Sequence, residues 1–226
     1  YYDLAKNPCS KGKKMGKAKA KEMLFWTKDE YTKFADAIKD KPISYYAFEI
    51  LYWTGVRMSE MLALERGDIN LQKRTLKIDK QVQRIDGIEY TTTLKTDKGN
   101  RVIELPEFLC NELEDYFGMI YKIDEHTRLF NITKSYLHHE MDRGSKAAGV
   151  KRIRIHDLRH SACAALIELG FSPVQIAERL GHESATITMR YAHLYPSVQR
   201  TMADKLNDMF HDESDFEDDE SEESEE

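Results

Sequence analysis

The 226-residue chain is 41% hydrophobic and 10% aromatic, which is the composition of a globular domain and excludes a largely disordered chain. Its net charge of −6 depends on residues 212–226, which hold eleven acidic side chains and no Lys or Arg. The rest of the chain has 34 Lys and Arg against 29 Asp and Glu, a net charge of +5. A basic body of this kind fits a nucleic-acid partner, although an ordinary mixed surface gives a similar balance.

The sequence has no feature of a secreted or membrane protein. No apolar run approaches the length of a bilayer span, and no secretory signal opens the chain. Cys9, Cys110 and Cys163 are irregularly spaced, so they suggest neither a disulfide framework nor a CxxC metal pair. A reducing cytoplasm is therefore the expected setting, with no membrane partner and no small-molecule substrate.

Residues 1–22 are predicted to be a basic linker, because they contain too few apolar groups to pack into a core. The segment is either a solvated tether or a strap across a DNA backbone. Both interpretations suit its seven lysines, which are Lys6, Lys11, Lys13, Lys14, Lys17, Lys19 and Lys21. The globular domain is expected over residues 23–211.

Three helices are predicted at the start of that domain. Thr27 and Glu30 form a capping box, and the helix after them buries one face. A second, aromatic-rich helix covers about residues 43–54 and is expected to lie in the core. The third starts at Arg57, where a cation is better explained by a bound anion, since a helix N-terminus is already positive. Glu60 is spaced to hold that guanidinium in place.

Residues 69–105 change to a period of two. The pattern predicts one antiparallel sheet of three strands, over about residues 75–82, 88–94 and 101–105. Lys95 ends the second strand, beside a turn. Lys98 is an alternative candidate for a functional lysine at this turn, and a solvated surface lysine is the plainer interpretation.

Two further helices are predicted over residues 106–121 and 133–148. The second carries His138 and His139 side by side. Neighbouring positions do not share a helix face, so these two histidines are a poor ligand pair and are expected on the surface or facing DNA.

The densest group of reactive side chains lies between these helices and the acidic tail. His156 and Arg159 are three apart in the first turn of a predicted helix, so both can point at one target. Gly181 ends the next helix and presents His182 on a turn. Arginine can bind two phosphate oxygens at once, and a tyrosine hydroxyl such as that of Tyr191 can act as a covalent nucleophile. Together they predict phosphoryl transfer to tyrosine.

The histidines admit two other interpretations. His156 and His160 have the i, i+4 spacing of a zinc helix, but no third ligand is evident. His160 is better explained by packing beside the apolar face of its own helix. Thr188 and His193 are expected to support the segment that carries the tyrosine.

Four ordered motifs carry a resemblance to a known family. TGVRMSE, HDLRH, LGH and TMRYAH, at residues 54–60, 156–160, 180–182 and 188–193, resemble the signature of tyrosine recombinases, the phage-integrase family. Each motif alone is a weak signal, but the set in this order is specific. The resemblance implies an α+β fold, in which a mainly helical domain carries a small three-stranded antiparallel sheet at one edge.

The resemblance also implies DNA strand exchange by transesterification. Tyr191 would attack a phosphodiester of double-stranded DNA and form a 3′-phosphotyrosyl link. Arg57 and Arg159 would hold the non-bridging oxygens and stabilise their charge, and His182 would add a hydrogen bond. The implied assembly is a tetrameric synapse of four protomers on DNA.

Proton transfer would involve two more residues. His156 would be the general base for the tyrosine hydroxyl, because imidazole titrates near neutrality. Lys95, in Leu94-Lys95-Thr96, would protonate the leaving 5′-oxygen, with Asn100 where the family usually has serine. The bond energy is kept in the phosphotyrosine, so neither a metal nor another cofactor is expected.

Predictions can also be made for the two ends of the chain. Residues 1–22 would join the domain to a core-binding domain outside this sequence, which makes the chain a fragment. Residues 196–211 are predicted to form a last helix that packs on its own domain or on a neighbouring protomer, and residues 212–226 a disordered acidic tail. A type IB topoisomerase is the alternative enzyme, and a non-catalytic DNA-binding module is the alternative without activity.

Overall fold

The computed structural model describes residues 24–94, 99–182, 188, 189, 191, 203, 206 and 207. The predicted linker, Lys95, Lys98, His193, most of the predicted last helix and the acidic tail therefore lie outside the described residues. The described elements are α1 (Lys28–Ile38), α2 (Pro42–Thr54), α3 (Met58–Met61), β1 (Ile69–Asn70), β2 (Thr75–Ile78), β3 (Lys80–Ile85), β4 (Ile88–Thr93), β5 (Arg101–Glu104), α4 (Glu107–Met119), α5 (Lys134–Ala148), α6 (Asp157–Glu168) and α7 (Pro173–Leu180).

The first helices build the main core. The capping box predicted at Thr27 and Glu30 is present at the start of α1, and the predicted face of that helix is buried. Helix α1 packs against α2 and α5. Its approach to α5 depends on Gly144, because a Cβ there would lie 2.5 Å from Cε2 of Phe34.

Helix α2 ends where the site begins. Its aromatic residues lie mainly in the core, as predicted, and Gly55 closes it with a φ of 66°. This left-handed conformation suits glycine. Helix α6 packs on α2, and α7 packs on α6. A Cβ at Gly55 would overlap the Leu180 side chain, so the ends of α2 and α7 lie side by side.

The mainly helical α+β fold is confirmed, but the predicted sheet is wrong in its pairing. The structure has a three-stranded antiparallel sheet in the order β1-β2-β5 and a separate two-stranded hairpin, β3-β4. The strand predicted over residues 75–82 is divided at Asp79. Its first half pairs with β5, Leu76 opposite Ile103, whereas its second half pairs with β4, Val82 opposite Thr91.

The later helices agree closely with the prediction. Thr133 caps α5, and Gly149 ends it with a φ of 65°. His138 and His139 are exposed on α5, as expected. No helix in the described part of the chain has the length and apolar content to cross a bilayer.

Candidate active site

Arg159 joins the two turns that carry the other candidate residues. Its guanidinium donates to the carbonyl oxygen of Gly55 at 2.7 Å and to that of Leu180 at 2.5 Å. The residue is only 3% exposed. Because Gly181 has a φ of 68°, the chain reverses at the end of α7 and leaves its last carbonyls for this arginine. The fork of one side chain therefore sets the distance between the two turns.

Arg57 lies on the solvent side of the same arrangement. It is the N-cap residue of α3, and 39% of its side chain is exposed. Nη1 donates to Oε1 of Glu60 at 2.8 Å, which confirms the predicted support, and Nη2 lies 3.5 Å from the Gly181 carbonyl oxygen. The cation is thus held from behind while its outer face remains open to a ligand.

Arg101 is a charged residue of this site that the sequence did not single out. It binds the Glu60 carboxylate through Nη2 at 2.8 Å and Nη1 at 3.4 Å. The sequence pattern could have identified Arg101. It lies two positions from Ile103 and so shares a strand face with that buried residue, and a cation on an inward face needs a charged or polar partner.

His182 is buried, and the Thr188 side chain contacts its ring. Its Nδ1 lies 2.9 Å from the hydroxyl oxygen of Thr188, a residue predicted to support the tyrosine segment, which here holds the histidine. Burial, followed by the charges of Arg159 and Arg57, lowers the pKa of His182 to about 3. The ring is therefore neutral at physiological pH.

Tyr191 is 3% exposed and packs with Cys163, Ile176 and other buried residues of α6 and α7. Its hydroxyl group forms a hydrogen bond with Nδ1 of His160. The prediction that His160 only packs is therefore wrong. His160 lies one helical turn further along α6 than His156, which brings its ring to the buried hydroxyl group of Tyr191. Burial and then His156 lower the pKa of His160 to about 4, so this ring is also neutral.

His156 lies at the mouth of the site. It is the N-cap residue of α6 and is exposed, with its ring centroid 5.2 Å from that of His160. Partial loss of hydration, followed by the charge of Arg159, lowers its pKa. The zinc interpretation finds no support here, since the described residues contain no group of three or more His, Cys, Asp or Glu side chains that could hold a metal.

The site carries an excess of positive charge. Arg57 and Arg101 bind the Glu60 carboxylate and Arg159 lies near it, which leaves a net charge of +2 among these four residues. Burial, then Arg57 and Arg101, lowers the pKa of Arg159 to about 9, so it remains a cation at neutral pH. Buried cations without a full set of partners are costly, and a bound anion would offset that cost.

A tyrosine hydroxyl beside a cluster of arginines and histidines, on a mainly helical α+β domain, defines the class of the tyrosine recombinase catalytic domains. Residues 25–197 match the Phage integrase family, and the chain belongs to that family. Of the six residues expected to act in catalysis, Lys95 lies outside the described part of the chain, as does its alternative Lys98, so the structure does not test their placement.

Known relatives and structures agree with this assignment. The chain is 32% identical to the ICEBs1 integrase of Bacillus subtilis over 91% of its own length and 60% of that protein. It resembles the crystal structure of XerA recombinase at 25% identity and a TM-score of 0.62, over 83% of this chain and 65% of that one. A Tn1549 transposon integrase shares the fold at 20% identity and a TM-score of 0.67, over 83% and 68%. The chain spans about half to three fifths of the curated relatives it matches.

Proposed function

We propose that this chain is the catalytic part of a site-specific DNA recombinase that cuts and rejoins DNA through a 3′-phosphotyrosyl intermediate. The observation that carries the proposal is the Tyr191 hydroxyl, which is hydrogen-bonded to His160 beside a cluster with excess positive charge. A neutral imidazole at the oxygen of a buried tyrosine can accept its proton, and the nearby arginines can bind a phosphate.

In the proposed reaction the Tyr191 oxygen attacks the phosphorus of a phosphodiester. A bond from phosphorus to tyrosine forms, and the bond to the 5′-oxygen breaks. Arg57 and Arg159 bind the non-bridging oxygens, whose negative charge grows in the transition state. With Nδ1 of His182 held by Thr188, Nε2 of that ring is the nitrogen that can bind the same phosphate.

The proton of the tyrosine goes to His160 in this proposal, because His160 rather than His156 contacts the hydroxyl group. The arrival of a phosphate anion raises the pKa of a nearby imidazole, so the ring becomes a stronger base when DNA is bound. His156, at the mouth of the site, is left to bind the phosphate. The proton for the leaving 5′-oxygen is assigned to Lys95, on the family resemblance alone.

The proposed substrate is double-stranded DNA in the cytoplasm, and the proposed assembly is a tetramer on DNA. The Tn1549 integrase, which shares the fold, was solved in complex with circular intermediate DNA, and the XerH recombinase bound to its difH substrate. The net charge of +5 over residues 1–211 supports a DNA partner. Membership of the integrase family does not favour the topoisomerase or the non-catalytic alternative.

Covalent capture from a mixed pool of DNA tests the proposal, because the protein itself then selects its target site. The chain is incubated with nicked duplexes of random sequence, in which release of a short 5′-hydroxyl fragment makes cleavage irreversible. Protein–DNA adducts that survive denaturing detergent are then sequenced, and adducts should also form in excess EDTA. Tyr191→Phe should form none, whereas Tyr121→Phe, at a residue that is 84% exposed, should match the wild type. Adducts formed by Tyr191→Phe would refute the assigned nucleophile.

A further inference from the structure

The Glu60 carboxylate is shared by two arginines that face different environments. Its side chain is fully buried, with an exposure of 0%. On one side it holds Arg57, whose side chain is 39% exposed, and on the other it holds Arg101, whose side chain is 7% exposed. The carboxylate thus bridges one largely buried and one partly exposed guanidinium.

Arg101 also joins backbone segments from the two sides of the site. Its Nε donates to the carbonyl oxygen of Arg179 at 3.2 Å, and Nη1 donates to that of Gly99 at 3.0 Å. Arg179 lies in the last turn of α7, two residues before Gly181, whose carbonyl oxygen faces Arg57. The Arg101 guanidinium therefore contacts the turn before β5, the Glu60 side chain of α3 and the end of α7, which leads to His182.

The charge of Arg101 matters as much as its contacts. A carboxylate paired with Arg57 alone would cancel the charge of that arginine. The second guanidinium compensates Glu60 from behind, so the exposed arginine keeps an uncancelled charge for an anion. Burial opposes ionisation of Glu60, but hydrogen bonds from Arg101 and then from Arg57 lower its pKa below the usual value.

We propose that Arg101 is a positioning residue of this site, which holds Glu60 and through it the Arg57 guanidinium against the turn that carries His182. The inference rests on the proposed function, because it assigns Arg101 to the stabilisation of the scissile phosphate. Arg101 does not reach the phosphate itself. It fixes the direction of Arg57 and preserves its charge.

The first test uses a nicked duplex whose sequence was selected in the covalent capture experiment with the wild type. The rate of a single round of cleavage is measured on fresh copies of this duplex. Arg101→Gln should slow cleavage roughly 100-fold, since a misplacement of about 1 Å at a catalytic group has an effect of that size. Arg101→Lys keeps the charge but loses the two-pronged contact, so a loss of about tenfold is expected. Affinity for the duplex should change by less than about threefold at matched salt, because Arg57 still contributes its charge to binding.

Arg143→Gln is a matched control. Its partner Glu140 is likewise a buried carboxylate shared by two cations, Lys41 at 2.6 Å and Arg143 at 2.8 Å, but it lies on α5, away from the site. The control variant should cleave at the wild-type rate. An equal loss of rate in Arg143→Gln and Arg101→Gln would show a general effect of weakened folding and would overturn the inference.

Two readouts separate positioning from a merely structural role. In a Glu60→Gln background, Arg101→Gln should cause little further loss, because the side chain through which it acts is already altered. On a duplex with a methylphosphonate at the scissile position, one negative charge is missing, so the defect of Arg101→Gln should shrink. Losses that multiply in the double variant, or a defect that is the same on both duplexes, would refute the positioning role.

The outcomes also distinguish this inference from the proposed function. A wild-type chain that captures no duplex from the pool would refute both. Wild-type capture that Tyr191→Phe abolishes, together with a wild-type rate for Arg101→Gln, would leave the function intact and remove Arg101 from it. If Arg101→Gln does not fold, the expected tenfold loss in Arg101→Lys decides the question, and its absence counts against the inference.

Discussion

Replacing Arg57 or Arg159, the two arginines proposed to bind the phosphate, by lysine should affect stability and rate in different proportions. Arg159 is 3% exposed and satisfies two buried carbonyl oxygens, at 2.7 and 2.5 Å. A lysine offers a single nitrogen and cannot reproduce the fork between Gly55 and Leu180, so one carbonyl loses its partner. A buried acceptor without a partner costs about 1–3 kcal/mol, and Arg159→Lys should lower the free energy of unfolding by that amount.

Arg57→Lys should behave otherwise. The side chain is 39% exposed and its principal bond is to Glu60, which a lysine can also contact. We expect its free energy of unfolding to fall by less than about 1 kcal/mol, because the lysine keeps a cation beside Glu60 and Arg101 still pairs with that carboxylate. If both arginines donate to the phosphate as proposed, each variant loses a donor to its developing charge, and cleavage should slow roughly 10²–10³-fold in each.

Urea denaturation followed by circular dichroism gives the stabilities, and single-turnover adduct formation gives the rates. The control is Arg152→Lys, at an exposed arginine that binds Asp142 at 2.7 Å outside the site, and it should change neither quantity. Equal stability of Arg57→Lys and Arg159→Lys would contradict the structural role of the Arg159 fork. Cleavage within about threefold of wild type in either variant would contradict its proposed contact with the phosphate.

Two further predictions concern stability. Gly144→Ala should lower the free energy of unfolding by about 1–3 kcal/mol, because the new Cβ overlaps the Phe34 ring, whereas Gly118→Ala meets no atom within 4 Å and should not destabilise; thermal unfolding compares them. Folding lowers the pKa of His182 to about 3, so the folded protein keeps this ring neutral while the unfolded chain can protonate it. Above the unfolded pKa the ring is neutral in both states, and as the pH falls below that value the folded state loses stability. Between about pH 6.5 and pH 4, the wild type should therefore lose more stability than His182→Asn, by up to about 1.4 kcal/mol per pH unit. The raised pKa of Glu49, about 7, has the opposite effect on stability, but it is the same in both proteins and cancels in the difference. If the free energies of unfolding, measured by urea denaturation at each pH, run parallel for the two proteins, the effect is excluded.

Local signals in the sequence determined the ends of the helices. The capping box at Thr27, and the glycines at 55, 149 and 181, are read correctly because a helix end depends on a few neighbouring residues and their backbone angles. The apolar face of α1 is also correct, since helical period and burial are properties of the same short segment.

The strand pairing could not be read in the same way. Residues 75–82 have one continuous pattern, yet the chain changes partner at Asp79, so β2 joins β5 and β3 joins β4. Pairing depends on which strands approach each other when the domain packs, and alternation along one strand contains no information about its neighbour.

The candidate site divides along the same line. The residue types and spacing around Arg57, Arg159, His182 and Tyr191 are sufficient to predict a phosphate-binding cluster with a tyrosine. Only the tertiary structure decides that His160 meets the tyrosine hydroxyl across 31 positions, and that Arg101 meets Glu60 across 41. A buried polar group must find a partner among the groups that packing brings within reach, and that choice is made by the folded domain, not by the residues on either side of it in the chain.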